Sequence, residues 1–274
     1  MHFLSSLALA TSTCLVLANA VPLQGTSATP SLLARNRLSK RTNPIIGEGI
    51  DTTDPDRGAK LLPREGLPQS GAFDNVQQML NYALTATNYG INSDSEIFTH
   101  YFLESHRDRV KRILQKLSGN LKESGADELG QITFQGVDTP NNGDDAGCAK
   151  QGTIMYTEYY DTEAPVTVVC EDAWVYPDRD DAEACDSDEM SDELRILASI
   201  VVHEYTHWDW FLKSIHGGEI VDTHGTEEAS GYGLTNVYYD LDKKYALYNA
   251  DSYAWYLTEV FWSVLCAKSF KAPD

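Results

Sequence analysis

The stretch 191-SDELRILASIVVHEYTHWDWFLKSIHGG-218 decides how the chain is read. Apolar residues recur at Leu194, Leu197, Val201, Tyr205, Trp208 and Leu212, a spacing of threes and fours that predicts an α-helix. A second row runs Ile196, Ile200, His203, His207 and Phe211. A helix apolar on most sides is a buried one. Ser191 is the candidate N-cap, with Asp192 and Glu193 at the positive end of the helix dipole. Gly217-Gly218 supplies the stop.

Inside this helix lies His203-Glu204-Tyr205-Thr206-His207, an H-E-x-x-H pattern. Side chains four apart share a helix face, with Cβ atoms about 5–6 Å apart. That separation suits two imidazoles holding one zinc ion per chain, with Glu204 placed to take a proton from a water bound there. Two core histidines with no metal are the plain alternative; the position at the centre of a strongly apolar helix favours the metal. The pattern points to a metallopeptidase acting on peptide or protein substrates.

The third ligand must come from farther along. A metzincin continuation needs a glycine where Trp210 stands and a later histidine that is missing. A thermolysin-like glutamate has Glu227 and Glu228 as candidates, but Gly225-Thr226 and Gly231-Tyr232-Gly233 around them do not read as a helix interior. His100 and His106 read as partly buried helix residues rather than ligands.

The segment His203–Cys266 resembles the fungal deuterolysin-type peptidases, the aspzincins. That family joins H-E-x-x-H to a downstream G-T-x-D-x-x-Y-G whose aspartate is the third zinc ligand. Here Gly225-Thr226-Glu227-Glu228 and Tyr232-Gly233 stand in that region, and Asn249-Ala250-Asp251-Ser252-Tyr253 resembles the family's N-A-D-x-Y element. The resemblance implies a zincin-like α+β fold, His203 and His207 as ligands, Glu204 as general base and Tyr232 near the metal as an oxyanion donor. The third ligand stays open. Aligning on Gly-Thr selects Glu228, aligning on the broader Asp…Tyr-Gly pattern selects Asp222, and His224 is a weaker candidate; Asp222 is preferred. The chain departs from the family in its short pro-segment, which implies a divergent relative.

The N-terminus predicts export. An apolar run from Phe3 to Leu17, closed by Ala18-Asn19-Ala20, reads as a signal peptide over residues 1–20. Residues 21–41 read as a short pro-segment ending at Lys40-Arg41, or as a basic linker, and 42–274 as one peptidase domain. Beyond Cys14 four cysteines remain, which in an exported chain implies two disulfides with three possible connectivities. Cys148–Cys170 with Cys185–Cys266 is the preferred set.

Net charge is −20, from 41 acidic and 21 basic residues. Such a surface excludes nonspecific binding to nucleic acid or anionic membrane and suits a soluble, secreted monomer. The acidic run Asp178–Asp192 lacks the order of a calcium loop and reads as solvated. Asp51–Gln69 reads as a loop or arm. Helices are expected over Ala72–Thr87, Ile97–Leu117 and Asp251–Phe270, and strands over Gln131–Phe134, Thr153–Tyr160 and Val166–Val169. The Ile154–Tyr160 run is the candidate edge strand for holding a substrate backbone. Two non-enzymatic readings stand beside the peptidase: a secreted zinc-capturing protein, and a host-interaction protein in which the motif is accidental.

Overall fold

Ala250–Leu265 is apolar or small at most positions, and every residue from Ala250 to Trp262 is buried. A segment this apolar can only be a central helix, and the fold is arranged around it. The computed structural model describes residues 44–62, 71–89, 94–119, 131–138, 147–181, 183–222 and 231–274. The proposed signal peptide and pro-segment, as well as His224, Glu227 and Glu228, lie outside these residues.

The elements run β1 (Ile45–Ile46), α1 (Ala72–Tyr89), α2 (Asp94–Tyr101), α3 (Arg107–Leu117), β2 (Thr133–Gln135), β3 (Met155–Glu158), β4 (Val166–Val169), α4 (Leu197–Thr206), α5 (Asp209–His216) and α6 (Ala250–Leu265). The architecture is mixed α and β, mainly helical, with one small sheet. α6 packs against α1, α2 and α4, while α3 bridges α1 and α5. The sheet has the order β1-β2-β4-β3. β1, β2 and β4 are parallel, and β3 runs antiparallel to β4 at one edge.

Three helices differ from their sequence reading; the last, expected over Asp251–Phe270, ends at Leu265 with Cys266 as its C-cap. The expected Ile97–Leu117 helix is two, α2 and α3. The Phe102 N–H closes α2 on the Phe98 carbonyl, Leu103 turns extended, and a 3₁₀ turn at Glu104–His106 leads into α3. The expected continuous helix after Ser191 is also divided. Ser191 precedes only a 3₁₀ turn, Asp192–Leu194, and α4 begins at Leu197 because Arg195 and Ile196 are extended. α4 then stops at Thr206. The Thr206 hydroxyl donates to the His203 carbonyl at 2.7 Å, and the His207 N–H bonds to the Glu204 carbonyl at 3.1 Å, tightening the last turn. Gly217, with φ +81°, ends α5 in the left-handed conformation that a residue with a Cβ resists.

β4 spans the expected Val166–Val169, β3 is shorter than the expected Thr153–Tyr160, and β2, expected over Gln131–Phe134, is shifted to Thr133–Gln135. The segment read as a loop or arm is docked as far as it is described: Leu61 is fully buried, and its carbonyl accepts from the Phe73 N–H. Among the described residues no helix is long and apolar enough to cross a membrane.

Both preferred disulfides are present, Cys148–Cys170 and Cys185–Cys266. Such bonds suit an oxidising compartment. The first ties the segment before β3 to the end of β4; the second ties the end of α6 to the turns before α4. Cys185–Cys266 spans 81 residues and Cys148–Cys170 spans 22. Chain entropy then predicts that replacing Cys185 and Cys266 by Ala costs about 4–5 kcal/mol, and the other pair about 3. Urea unfolding of the two double variants checks the order.

Candidate metal centre

α4 and α6 are both buried, so polar groups on their facing surfaces must satisfy one another. Ser199 and His203 lie four apart on α4 and meet Thr258 and Asp251 on α6. The Ser199 and Thr258 hydroxyls are 2.8 Å apart, and His203 Nδ1 is 2.6 Å from Asp251 Oδ1. A carboxylate only accepts, so Nδ1 carries the proton and Nε2 of the neutral ring carries the lone pair. His207 is fixed the same way, with Nδ1 donating to the Ile220 carbonyl at 2.9 Å.

Both Nε2 atoms therefore point at a shared space, 3.1 Å apart. Asp222 Oδ1 enters that space at 2.7 Å from His203 Nε2 and 2.9 Å from His207 Nε2. Three such atoms this close need positive charge between them, either a proton held on an imidazole or a cation shared by all three. Donors on one tetrahedral zinc sit about 3.3 Å apart, so the three contacts would each open by about 0.2–0.6 Å to admit the ion. The residues present fit zinc. The electrostatics favour a cation in the same way. Burial works against charge on His203, but the Asp251 carboxylate and the hydrogen bonds to Asp222 and Asp251 push its pKa up to about 10. His207 is raised despite its burial, chiefly by Asp222. Asp222, opposed by partial burial, is held well below the usual carboxylate range by hydrogen bonds to both rings.

Asp222 follows a short, firmly anchored segment. The Val221 N–H donates to the Tyr248 carbonyl at 2.9 Å, and the Ala250 N–H donates to the Val221 carbonyl at 3.0 Å. The loop that brings Asp222 to the histidines is thus stitched to the start of α6. Its side chain is 53% exposed, at the mouth of the site.

Glu204 is buried beside the histidines, and the three side chains offer ligand atoms within 4.8 Å of one another. Its Oε2 accepts from the Thr157 hydroxyl of β3 at 2.7 Å. The site opens into a cleft of about 610 Å³ lined by β3, Gly147, residues 150–153, residues 219–222 and Tyr232. The expected edge strand is therefore its wall. The Tyr232 ring stands edge-on to His203, with centroids 5.9 Å apart, and is 37% exposed. Burial raises its pKa while Arg195 pulls it down, with a net rise.

Three site residues escape sequence reading. Asp251 orients His203 and also takes the Gly233 N–H at 2.6 Å. Arg195 is buried, donates to Asp251 Oδ1 at 3.1 Å and lies 5.5 Å from the Tyr232 ring centroid. Thr157 holds Glu204. Asp251 had a signal, its place in the Asn-Ala-Asp-x-Tyr element; Arg195 and Thr157 had none. The chain matches no protein-family model and no curated protein by sequence.

Zinc titration against a chelating dye should separate the ligands: Asp222→Ala loses tight binding and Glu228→Ala keeps it. Release of the metal only by the Glu228 change would overturn the assignment. Asp251→Asn, which leaves the His203 ring poorly held, should weaken zinc by about 10–100-fold.

Proposed function

We propose that the chain is an exported zinc endopeptidase of zincin type, a divergent relative of the deuterolysin-type enzymes it resembles. The observation that carries this reading is the convergence of His203 Nε2, His207 Nε2 and Asp222 Oδ1 at the floor of a cleft walled by an edge strand, with the Glu204 carboxylate alongside. Those three atoms would hold one zinc per chain. Bound there, zinc supplies Lewis acidity toward a peptide carbonyl and eases deprotonation of water.

The chain's own groups supply the rest. Glu204 takes the proton from the attacking water and returns it to the leaving amine. The Tyr232 phenol, at the cleft side of His203, donates to the oxyanion that develops on the carbonyl. Asp251 keeps His203 in the tautomer that faces the metal. β3 offers main-chain groups to an extended substrate. The paired cysteines accord with an extracellular enzyme.

Glu204→Gln tests the chemistry apart from the metal. Hydrolysis of a denatured protein substrate should fall by at least about 100-fold, with zinc affinity unchanged. Phenanthroline should abolish wild-type activity, and zinc should restore it. Zinc-loaded protein that cleaves nothing in a peptide library would leave a zinc-capturing protein; purified protein without stoichiometric zinc would sink both readings.

A further inference from the structure

Thr157 pairs with Thr167 across β3 and β4. The Cys170 N–H bonds to the Ile154 carbonyl, so the alternation directs the main-chain groups of Ile154, Tyr156 and Glu158 toward β4. Met155 and Thr157 form the close, non-hydrogen-bonded pairs, and their N–H and C=O groups face the edge that no strand covers among the described residues. The side chains of such a pair approach closely, and the Thr157 and Thr167 hydroxyl oxygens are 3.2 Å apart.

The proton order in this row follows from chemistry. Glu204 Oε2 only accepts, so the 2.7 Å contact takes the single Thr157 hydroxyl proton. The Glu204 carbonyl, at 3.5 Å from that hydroxyl, is the poorer acceptor. With its proton committed, Thr157 Oγ1 can only accept from Thr167. Thr167 is buried, and its hydroxyl proton has Thr157 as its acceptor. The row runs Thr167 to Thr157 to Glu204, each hydroxyl polarising the next.

We infer that Thr157 is the positioning residue of Glu204: its hydroxyl, backed by Thr167, holds the carboxylate, while its main chain faces the edge where a substrate strand pairs. One residue thus touches the general base through its side chain and the substrate through its backbone. Substrate addition at this edge would register the scissile carbonyl against the base. The inference rests on the peptidase reading of Glu204. At its far end the free edge is closed, because the Tyr160 carbonyl is taken by the Trp210 N–H at 3.0 Å.

The test uses Thr157→Val, Thr157→Ser and Thr167→Val in the full chain. Valine keeps the shape and the strand preference. Losing one hydrogen bond to a charged group should lower kcat of Thr157→Val by roughly 10–100-fold. KM should stay within about twofold, because the main-chain contacts survive. Zinc affinity should be unchanged, and Thr157→Ser should recover most of kcat. Thr167→Val, which leaves the tether but removes its support, should lose about 3–10-fold. Wild-type kcat in Thr157→Val, or loss of zinc in step with activity, would overturn the inference. Neutron diffraction gives a readout independent of activity: the Thr157 deuteron should point at Glu204, and one pointing at Thr167 refutes the order. A wild-type chain that binds zinc and cleaves nothing defeats the peptidase reading, while the deuteron position still decides the tether.

Discussion

The buried contact between His203 and Asp251 governs both the core and the site. It joins the two most deeply buried helices and sets the tautomer of the first imidazole. A carboxylate in such surroundings persists only with compensation, which here is threefold: the His203 ring, the Arg195 guanidinium and the Gly233 N–H. Removing one partner of a buried charged pair typically costs about 3–5 kcal/mol, because the other is left uncompensated. Asp251 is accordingly held below its usual carboxylate range: burial opposes the charge, and His203 and Arg195 outweigh it. The arrangement of helices cannot slip without disturbing the histidine.

The division between α4 and α5 serves the second imidazole. His207 sits at the end of α4 and not in the middle of a long helix, so its ring can turn away from the core toward the Ile220 carbonyl. The apolar repeat from Leu194 to Leu212 runs through this break, because both short helices face the same core. Periodicity reports which face is buried and is blind to one lost hydrogen bond. The agent of the break is Thr206, whose hydroxyl takes the carbonyl that a continuing helix would use. The break inside the expected Ile97–Leu117 helix is hidden for the same reason: Phe98, Tyr101, Phe102 and Val110 are all buried, so the pattern continues across a change of direction.

What the sequence makes legible is what is local. His203, Glu204 and His207 come from one turn of helix, and their grouping follows from spacing alone. The β3 and β4 strands follow from alternation, and the disulfide choice from tying the chain end to the segment before α4. Asp251 is 48 residues from His203, and no periodic pattern carries that distance. A different signal does exist. Asp251 and Glu259 are acids inside an otherwise apolar helix, and a buried acid demands a partner. Both have one: Glu259 accepts from the Tyr101 hydroxyl at 2.8 Å and lies 3.2 Å from His100 Nδ1. His100, read as a helix residue, is one of its two partners. Arg195 and Thr157 sit in unremarkable surroundings, and only the tertiary fold reveals what they touch.

The third donor has a different character from the other two. His203 and His207 are set by buried helices, whereas Asp222 stands half-exposed on a loop. That loop is not loose. Ile220 fixes His207, Val221 is bonded in both directions to the segment leading into α6, and Asp222 comes next. The same few residues therefore orient the second imidazole and deliver the carboxylate. Closed structural zinc sites take four protein ligands, whereas catalytic sites take three and keep one direction open. On the proposed reading, three anchored donors facing an open cleft, with a carboxylate held beside them by the cleft wall, would make a site of the second kind. The bond between Glu204 and the edge strand satisfies a buried carboxylate and, on the proposed reading, also holds the general base in place.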